Sequence, residues 1–404
     1  MGHTPHRVGV YFGLVQFLFT LTWTVYVIFL PRLAAQAGIP KAYVPYILML
    51  DQLVFVAMDY TMGVAADRAA NVLGRVGHIV LAVTIASCLA FLLIPFVAAQ
   101  SSLIFFVTVL VLWAATSSVL RAPPMVLLGR HAPRSQVPWL AALSVLGLGV
   151  AGAAGPYLTL VLRGMDPRLP FALSSLALVL ATLGIIWAEQ TLAKSGEAAP
   201  GSLDAQGPES GQSPAVFLAA ILLLAIGFQV HFSLNSAPLY SHFLAPPQVE
   251  RAMPVFWIGF SLIMLPAGKA TERFGGIAVA GTGGIVAAFA AWGAATADTV
   301  TMLLAMQLLA GAGWGLVLTS AVSAAIAIGH VGREGKLTGS VFALLAVASF
   351  ARLAIVATEL LKDPEYAPLL TWLPVAAWGT GGLVLLLMFV RYRTRVAAAV
   401  SQAR

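Results

Sequence analysis

Four charged residues interrupt apolar stretches that are otherwise long enough to cross a lipid bilayer. They are Asp51, Asp59, Arg121 and Arg352. A charge near the centre of a bilayer costs at least about 2.5–3.5 kcal/mol, so it is retained in a cavity or beside a partner of opposite charge. A carboxylate near an arginine can take up and release a proton, because the arginine favours the ionised acid and a low dielectric favours the neutral one.

Counting along the chain places two of these charges at one depth. Asp51 lies 16 residues before Asp67, and Arg352 lies 16 residues after Lys336. At about 1.5 Å per helical residue, Asp51 lies about 24 Å from Asp67 along its helix, and Arg352 lies about 24 Å from Lys336. We therefore expect Asp51 to be a proton-coupling carboxylate, with Arg352 as its counter-charge or as the anchor of an anionic substrate. The alternative is a static buried ion pair that fixes the register of two helices.

Asp59 and Arg121 form the second expected pair. They lie 8 and 9 residues before the charged helix ends at Asp67 and Arg130, which corresponds to a depth of about 12–13 Å. Because both residues belong to the first half of the chain, we expect them to pair within one half of the molecule. A structural role is the stronger alternative for such a pair.

Uncharged polar and aromatic residues in the apolar stretches are candidates for contact with a solute. The candidates are Gln16, Gln229, His231, Asn235 and Trp314. His231 and Asn235 are four residues apart and therefore share a helix face. The alternative for the amides and the histidine is hydrogen bonding between helices, and for the tryptophan it is packing.

Two pairs of methionines raise the alternative of copper transport, because thioethers bind Cu(I). They are Met58 with Met62 and Met302 with Met306, and no Cys or His completes either pair in the sequence. Methionine also fills gaps in apolar packing, and the single cysteine, Cys88, excludes a thiolate metal site. We expect no metal, no cofactor and no enzymatic activity, since the sequence has no phosphate-binding loop and no group of acid, base and nucleophile.

The elements that position these residues follow from composition. With 404 residues, of which 60% are apolar and 9% charged, and a mean hydropathy of +0.93, the sequence excludes a water-soluble globular protein. The spans must be helical, because the alternation of a membrane barrel is absent from the sequence. We predict an all-α polytopic membrane protein with transmembrane helices near residues 8–31, 42–66, 77–99, 102–127, 137–162, 169–192, 214–240, 252–270, 276–296, 299–328, 337–361 and 368–390.

Basic residues predict the orientation of these twelve helices. Of the 22 Lys and Arg residues, fourteen fall in segments on the side of the N-terminus and six on the other side, which places both termini in the cytosol. The net charge of +7 is scattered along the chain, so we expect no nucleic-acid partner. We divide the chain into an N-terminal six-helix half (1–192), a flexible cytosolic linker (193–213), a C-terminal six-helix half (214–392) and a cytosolic tail (393–404).

A short motif is repeated after the second and the eighth predicted helix. In each copy a glycine is followed four residues later by an acidic residue and an arginine. A glycine permits close approach of two helices, and the charged pair can close one face of the bundle, so we predict a gate at these places. The first copy comprises Gly63, Asp67, Arg68, Gly74 and Arg75, and the second comprises Gly268, Glu272, Arg273 and Gly275.

The repeated motif resembles the signature Gly-x-x-x-Asp-Arg-x-Gly-Arg of the major facilitator superfamily. The second copy departs from it at Glu272 and at Gly276, which replaces the final arginine. In the first copy, the longer spacing to Gly74, together with Asp59, is similar to the melibiose-type and sucrose-type symporters. The resemblance implies two pseudo-symmetric six-helix halves and transport by alternating access between them.

The fifth predicted helix adds a second point of resemblance. Gly152, Gly155 and Pro156 are similar to the Gly-Pro motif of the superfamily's antiporters. We expect a monomeric secondary active transporter of a small organic solute, coupled to protons, in the lipid bilayer of the plasma membrane and specifically the bacterial cell inner membrane. The alternatives are a sodium-coupled sugar-type symporter, a copper transporter, and a receptor or assembly factor that has this fold without transport.

Overall fold

The computed structural model describes residues 4–70, 72, 75–100, 102–197, 209, 211–329, 332–360 and 363–402. These residues form helices joined by short turns, and no strand occurs among them. Twelve helical stretches within them are long and apolar enough to cross a membrane, which confirms the predicted all-α polytopic fold. They are span 1 (His6–Gln36), span 2 (Lys41–Ala69), span 3 (Arg75–Gln100), span 4 (Leu103–His131), span 5 (Arg134–Leu162), span 6 (Arg168–Ser195), span 7 (Pro214–Ser241), span 8 (Pro246–Phe274), span 9 (Gly276–Ala295), span 10 (Val300–Gly329), span 11 (Glu334–Ala357) and span 12 (Ala367–Thr394).

The predicted boundaries of spans 8 and 11 differ from the structure by several residues. Span 8 begins with the short helix Pro246–Ala252 rather than near residue 252. Proline is tolerated in a first helical turn, where its missing amide donor is not needed, so a helix begins here despite the low hydropathy. Span 11 ends at Ala357 rather than near residue 361, because Glu359 has a positive φ of 56°, which a helix does not accommodate.

The segments outside the halves differ in how far the structure describes them. Of the predicted linker, residues 198–208 and 210 lie outside the described residues. Glu209 lies at the start of span 9, where its Oε1 accepts a hydrogen bond from the Ile277 amide at 2.7 Å. Burial of this carboxyl group raises its pKa above the ordinary value. The predicted tail is helical as far as Gln402, because the last helix continues beyond the apolar run.

Two spans are interrupted close to the polar residues that they carry. In span 4 a 3₁₀ turn, Ser118–Leu120, comes directly before Arg121. In span 7 a π-helical turn, His231–Asn235, separates the helices Pro214–Val230 and Ser236–Ser241. Such turns shift the direction in which the following side chains point, and π-turns are frequent at functional sites.

The halves are joined through two pairs of spans. Because the number of spans is even, both chain ends lie at one face of the bundle, here called the terminal face, and the other is the distal face. We call spans 1–6 the N-terminal half and spans 7–12 the C-terminal half. Buried apolar clusters fill both halves, and two of these clusters extend into the other half, at Val145 of span 5 and at Val322 and Ile326 of span 10. Span 2 packs on span 11 and span 5 packs on span 8, and we call these two contacts the seam.

Candidate functional site

Asp51 is fully buried in span 2. Its Oδ2 accepts a hydrogen bond of 2.7 Å from the Tyr26 hydroxyl of span 1, and its Oδ1 is buried without a hydrogen-bond partner. A single hydroxyl replaces little of the hydration that an ionised carboxylate loses on burial, whereas a protonated acid loses far less. The site is therefore suited to a carboxyl group that holds a proton in this conformation.

The face of span 2 that carries Asp51 is directed at span 11. Phe55, one turn nearer the terminal face, packs in one cluster with Ala346 of span 11. Asp59, one turn further, has its carbonyl oxygen against Gly339. Continuing this register one turn toward the distal face places Asp51 opposite residues near 350, since facing antiparallel helices advance together.

Arg352 lies within one turn of that level but is not bonded to Asp51. No ion pair joins Asp51 and Arg352. The Arg352 Nε is buried without a hydrogen-bond partner. The side chain shares a helix face with Ser349 and Phe342, three and ten residues before it. It is partly exposed. The expected partners thus lie at a similar depth on two packed spans, and no ion pair joins them in this conformation.

Asp59 and Arg121 are joined within the N-terminal half. The Arg121 Nη1 lies 2.9 Å from the Asp59 Oδ2, with the carboxylate fully buried. The guanidinium lies 5.0 Å from the ring centroid of Phe55 and 5.5 Å from that of Phe342. Because Phe342 belongs to span 11, this pair of the N-terminal half also contacts the C-terminal half at the seam.

The polar side chains of spans 1 and 7 form hydrogen bonds between helices. The Gln16 Nε2 donates to the Leu120 carbonyl of span 4 at 2.8 Å. In span 7, the Gln229 Nε2 donates to the Ser349 hydroxyl of span 11 at 2.7 Å. The Asn235 Nδ2 donates to the Leu370 carbonyl of span 12 at 3.0 Å. Each of these three amide side chains thus donates a hydrogen bond to another span. This is the contact expected if they hold helices together and do not bind a solute.

The π-turn of span 7 is held by a buried polar network. The His231 Nε2 and the Gln307 Oε1 of span 10 are 3.1 Å apart. The Ser236 hydroxyl donates to the His231 carbonyl at 2.9 Å and lies 3.2 Å from the Gln307 Nε2. Trp314 is buried and stacks on Phe228 at a centroid distance of 4.5 Å. His231, Asn235 and Trp314 are therefore buried among the helices of the C-terminal half in this conformation.

The first copy of the repeated motif closes the terminal face at the seam. The Asp67 carboxylate accepts hydrogen bonds from the backbone amides of Gly335 at 2.7 Å and Lys336 at 2.8 Å. These amides belong to the first turn of span 11, where backbone donors are unpaired and the helix dipole favours a negative charge. Gly63 lies directly against the backbone of Gly335 and Gly339, so a side chain there would force the helices apart.

The second copy packs in the same way but lacks the carboxylate contact. A Cβ on Gly268 would lie 3.1 Å from the Ala142 Cβ and 3.4 Å from the Pro138 carbonyl oxygen of span 5. Pro138 therefore stands where Gly335 stands in the first copy, and a proline has no amide hydrogen to donate. Glu272 is exposed and lines a cavity of about 590 Å³ at the terminal face.

The remaining motif residues have separate environments. Arg68, Arg75 and Arg273 are exposed at the terminal face, and Gly74 lies outside the described residues. Gly275 adopts a φ of 88° at the turn between spans 8 and 9, a conformation that favours glycine. Gly152 of span 5 lies against the Trp257 ring of span 8 at the seam, whereas Gly155 and Pro156 continue span 5 toward the distal face.

Two hydrogen-bond partners of the candidate residues were not singled out from the sequence. Tyr26 lies in an apolar run, and nothing in its spacing indicates that it faces Asp51. Gln307 is the one long polar side chain of span 10, and an isolated amide of this kind could have been singled out as a partner for His231. Both contacts depend on how adjacent helices are rotated, which composition does not reveal.

The fold is similar to those of several solved transporters. A bacterial homologue of the iron transporter ferroportin in the outward-facing state has a TM-score of 0.73 at 14% identity, with 96% of this chain and 100% of that chain covered. The human organic anion transporter MFSD10 (TETRAN) has a TM-score of 0.70 at 13% identity, with coverages of 96% and 99%. The Escherichia coli fucose:proton symporter FucP has a TM-score of 0.62 at 13% identity, with coverages of 96% and 98%.

Sequence comparison assigns the family. No curated protein matches the sequence significantly. The profile of the Major Facilitator Superfamily matches residues 12–351, which is most of the chain. With twelve spans arranged as in the similar transporters, the chain is a membrane transporter that belongs to the Major Facilitator Superfamily.

Proposed function

We propose that this transporter is a secondary active carrier that couples the movement of a small organic solute to protons by alternating access. The observation that carries the proposal is the position of Asp51, buried at the seam with the Tyr26 hydroxyl as its hydrogen-bond donor and with Arg352 on the facing helix. A fixed structural carboxylate at such a place would be expected to have a cation beside it, as Asp59 has in Arg121.

The proposed coupling follows from the separation of Asp51 and Arg352. When the two side chains are apart, a buried carboxyl group favours its protonated form. When the halves rock and bring the guanidinium close, the ionised form is favoured and the proton leaves. Proton release and uptake would thus be linked to the two orientations of the halves, because the two residues belong to opposite sides of the seam.

The contact of Asp67 with span 11 supports a gate at the terminal face. In the described conformation this face is closed where span 2 meets span 11. Opening it would break two charge-assisted hydrogen bonds and separate Gly63 from the span 11 backbone. We place the terminal face in the cytosol, because the excess of Lys and Arg lies on that side.

The division of the chain suits this motion. The halves 1–192 and 214–392 would rock as units, joined by the cytosolic linker 193–213, and the tail 393–404 would remain in the cytosol. We propose a plasma-membrane location, in bacteria the inner membrane, and a monomer as the transporting unit. The similar fucose:proton symporter, named for its coupling ion, suits the assignment of protons.

Sodium coupling is the second candidate for the driving ion. A sodium site needs several oxygen ligands in one place, and the carboxylate of Asp59 already holds an arginine at 2.9 Å. Tyr26 and one carboxylate oxygen of Asp51 would supply two ligands at most from the contacts of that residue. Protons need a single titratable group, so they are the better match to the geometry.

The test is transport by purified protein in proteoliposomes loaded with a pH-sensitive dye. Solutes that raise the melting temperature of the protein are added under an imposed pH gradient, and solute uptake and internal pH are followed together. We expect accumulation that a protonophore abolishes and that a sodium gradient does not replace. Accumulation driven by sodium alone, or uptake that never exceeds equilibration, would contradict proton coupling.

A further inference from the structure

Building on the proposed proton coupling, we infer that the solute is a small organic monoanion, such as a monocarboxylate with an apolar body, that binds Arg352 and crosses together with the proton on Asp51. The inference goes beyond coupling because it names the charge and the chemical class of the solute. It also assigns a role to Arg352, which forms no ion pair among the described residues and whose Nε is buried without a hydrogen-bond partner.

The hydrogen-bonding groups that a sugar would need are already engaged. Gln16, Gln229 and Asn235 donate to other helices, and His231 is bonded to Gln307. A solute rich in hydroxyl groups would have to break these contacts, because a buried donor left unpaired costs about 1–3 kcal/mol. The polar residues of spans 1 and 7 therefore do not favour a neutral polyol.

Two described arginines, Arg121 and Arg352, lie within the apolar stretches of the spans, and they differ in their partners. Arg121 is neutralised by Asp59 at 2.9 Å, whereas Arg352 is partly exposed and forms no ion pair among the described residues. A guanidinium binds a carboxylate through two parallel hydrogen bonds, which gives both energy and orientation. A monoanion would balance this charge, and a neutral solute would leave it uncompensated.

The walls beside the seam are aromatic. Trp23 of span 1 is partly exposed, and its ring lies 5.4 Å from that of Phe55 and 5.3 Å from that of Tyr26. Tyr26 in turn holds Asp51, so an apolar surface adjoins the coupling carboxylate. Such a surface suits the hydrocarbon part of a carboxylate, because burial of apolar area is favourable.

The arrangement links the anion to the proton by competition. An ionised Asp51 is the internal partner available to Arg352 across the seam, and it would compete with a carboxylate solute for the guanidinium. Protonation of Asp51 removes that competitor, so the anion binds when the proton is present. The empty carrier holds one ionised Asp51 and one arginine, and the loaded carrier holds a neutral acid, the arginine and the anion. Both forms have the same net charge, which predicts symport without net charge movement.

The binding half of the inference is tested with matched solute pairs. Benzoate and benzamide, butyrate and butyramide, and glucose are compared by thermal shift of the purified full-length protein at a fixed mildly acidic pH. We expect stabilisation by at least one carboxylate and by none of the neutral compounds. The assignment would be overturned if the amides or glucose stabilised the protein as much as the carboxylates do. It would also be overturned if neither carboxylate stabilised the protein.

Variants of Arg352 identify the binding residue. Arg352→Gln should weaken carboxylate binding about 30-fold or more, as loss of one partner of a hydrogen-bonded charge pair does. Arg352→Lys keeps the positive charge and should retain part of the carboxylate affinity, which separates loss of charge from misfolding. Arg251→Gln removes an exposed arginine of span 8 and should leave binding unchanged. Unaltered carboxylate affinity in Arg352→Gln would refute the role of this residue.

The coupling half is tested by the response to membrane potential. Uptake of the stabilising carboxylate into proteoliposomes should be driven by a pH gradient and should not change when a potassium diffusion potential is imposed with valinomycin. Uptake that the potential drives would contradict symport of one proton with one anion. Carboxylate binding that depends on Arg352, combined with no uptake under any pH gradient, would instead refute the proposed proton coupling and leave the solute class standing.

Discussion

The carboxylate of Asp67 accepts a hydrogen bond from the Lys336 amide at 2.8 Å and so joins the end of span 2 to the start of span 11. These two residues are the marks from which the depths of Asp51 and Arg352 are counted. Because the marks are bonded to one another, the two counts start at one level. The same contact therefore joins spans 2 and 11 at the terminal face and sets the register that places Asp51 and Arg352 at a similar depth.

Neutralising Asp67 should open the terminal face, whereas neutralising Glu272 should not. Asp67→Asn removes the negative charge at the start of span 11, which is worth up to about 2 kcal/mol. Glu272→Gln changes an exposed side chain. The residue that corresponds to Gly335 on the facing span is Pro138, which has no amide hydrogen to donate. Spin labels at Arg68→Cys and Arg333→Cys, in a Cys88→Ala background, should show a longer distance population in the first variant. Equal shifts in both variants would contradict the asymmetry between the motif copies.

A methyl group on Gly63 should disturb the seam more than one on Gly268. The added Cβ at Gly63 would lie on the Gly335 carbonyl, whereas at Gly268 the nearest neighbour is the Ala142 Cβ at 3.1 Å. Gly63→Ala is expected to cost about 1–3 kcal/mol in the closed conformation, as overpacking does. Thermal unfolding in detergent should show a larger drop in the melting temperature for Gly63→Ala. An equal or larger drop for Gly268→Ala would argue against the close contact of spans 2 and 11.

Removing one charge of the Asp59–Arg121 pair should destabilise the protein more than removing both. Asp59→Asn leaves Arg121 without compensation inside the N-terminal half, at a cost of about 3–5 kcal/mol. The double variant Asp59→Leu with Arg121→Met removes the buried charge altogether and should regain most of that loss. Unfolding of the single variants Asp59→Leu and Arg121→Met and of the double variant measures the difference. If the effects of the single changes simply add, the two residues do not act as a pair.

The network around the π-turn should support stability and not solute affinity. His231→Phe or Gln307→Leu leaves the other side chain buried without its partner at 3.1 Å, which costs about 1–3 kcal/mol. We expect lower melting temperatures with an unchanged KM for the transported solute. Ser233→Ala, at an exposed position of the same turn, serves as the control. A raised KM without loss of stability would place His231 or Gln307 in contact with the solute.

The sequence predicted the spans well because the hydrocarbon core imposes one length and one polarity on each of them. It also located two close contacts between helices, since Gly63 and Gly268 lie in equivalent places of the two halves and both pack against a facing span. It could not show that Pro138 replaces Gly335 as the neighbour of the second copy, because that pairing is set by tertiary packing. The Tyr26 contact and the π-turn at His231 depend on helix rotation and on Gln307, which no local pattern records.

The central claim is that Asp51 carries the coupled proton, and Asp51→Asn tests it most directly. An asparagine cannot exchange a proton, so the variant should lose accumulation driven by a pH gradient and keep counterflow, the exchange of labelled for unlabelled solute without a gradient. Asp298→Asn, which changes an exposed carboxylate between spans 9 and 10, should retain both activities. If Asp51→Asn still accumulates solute under a pH gradient as the unmodified protein does, the coupling role of Asp51 is contradicted.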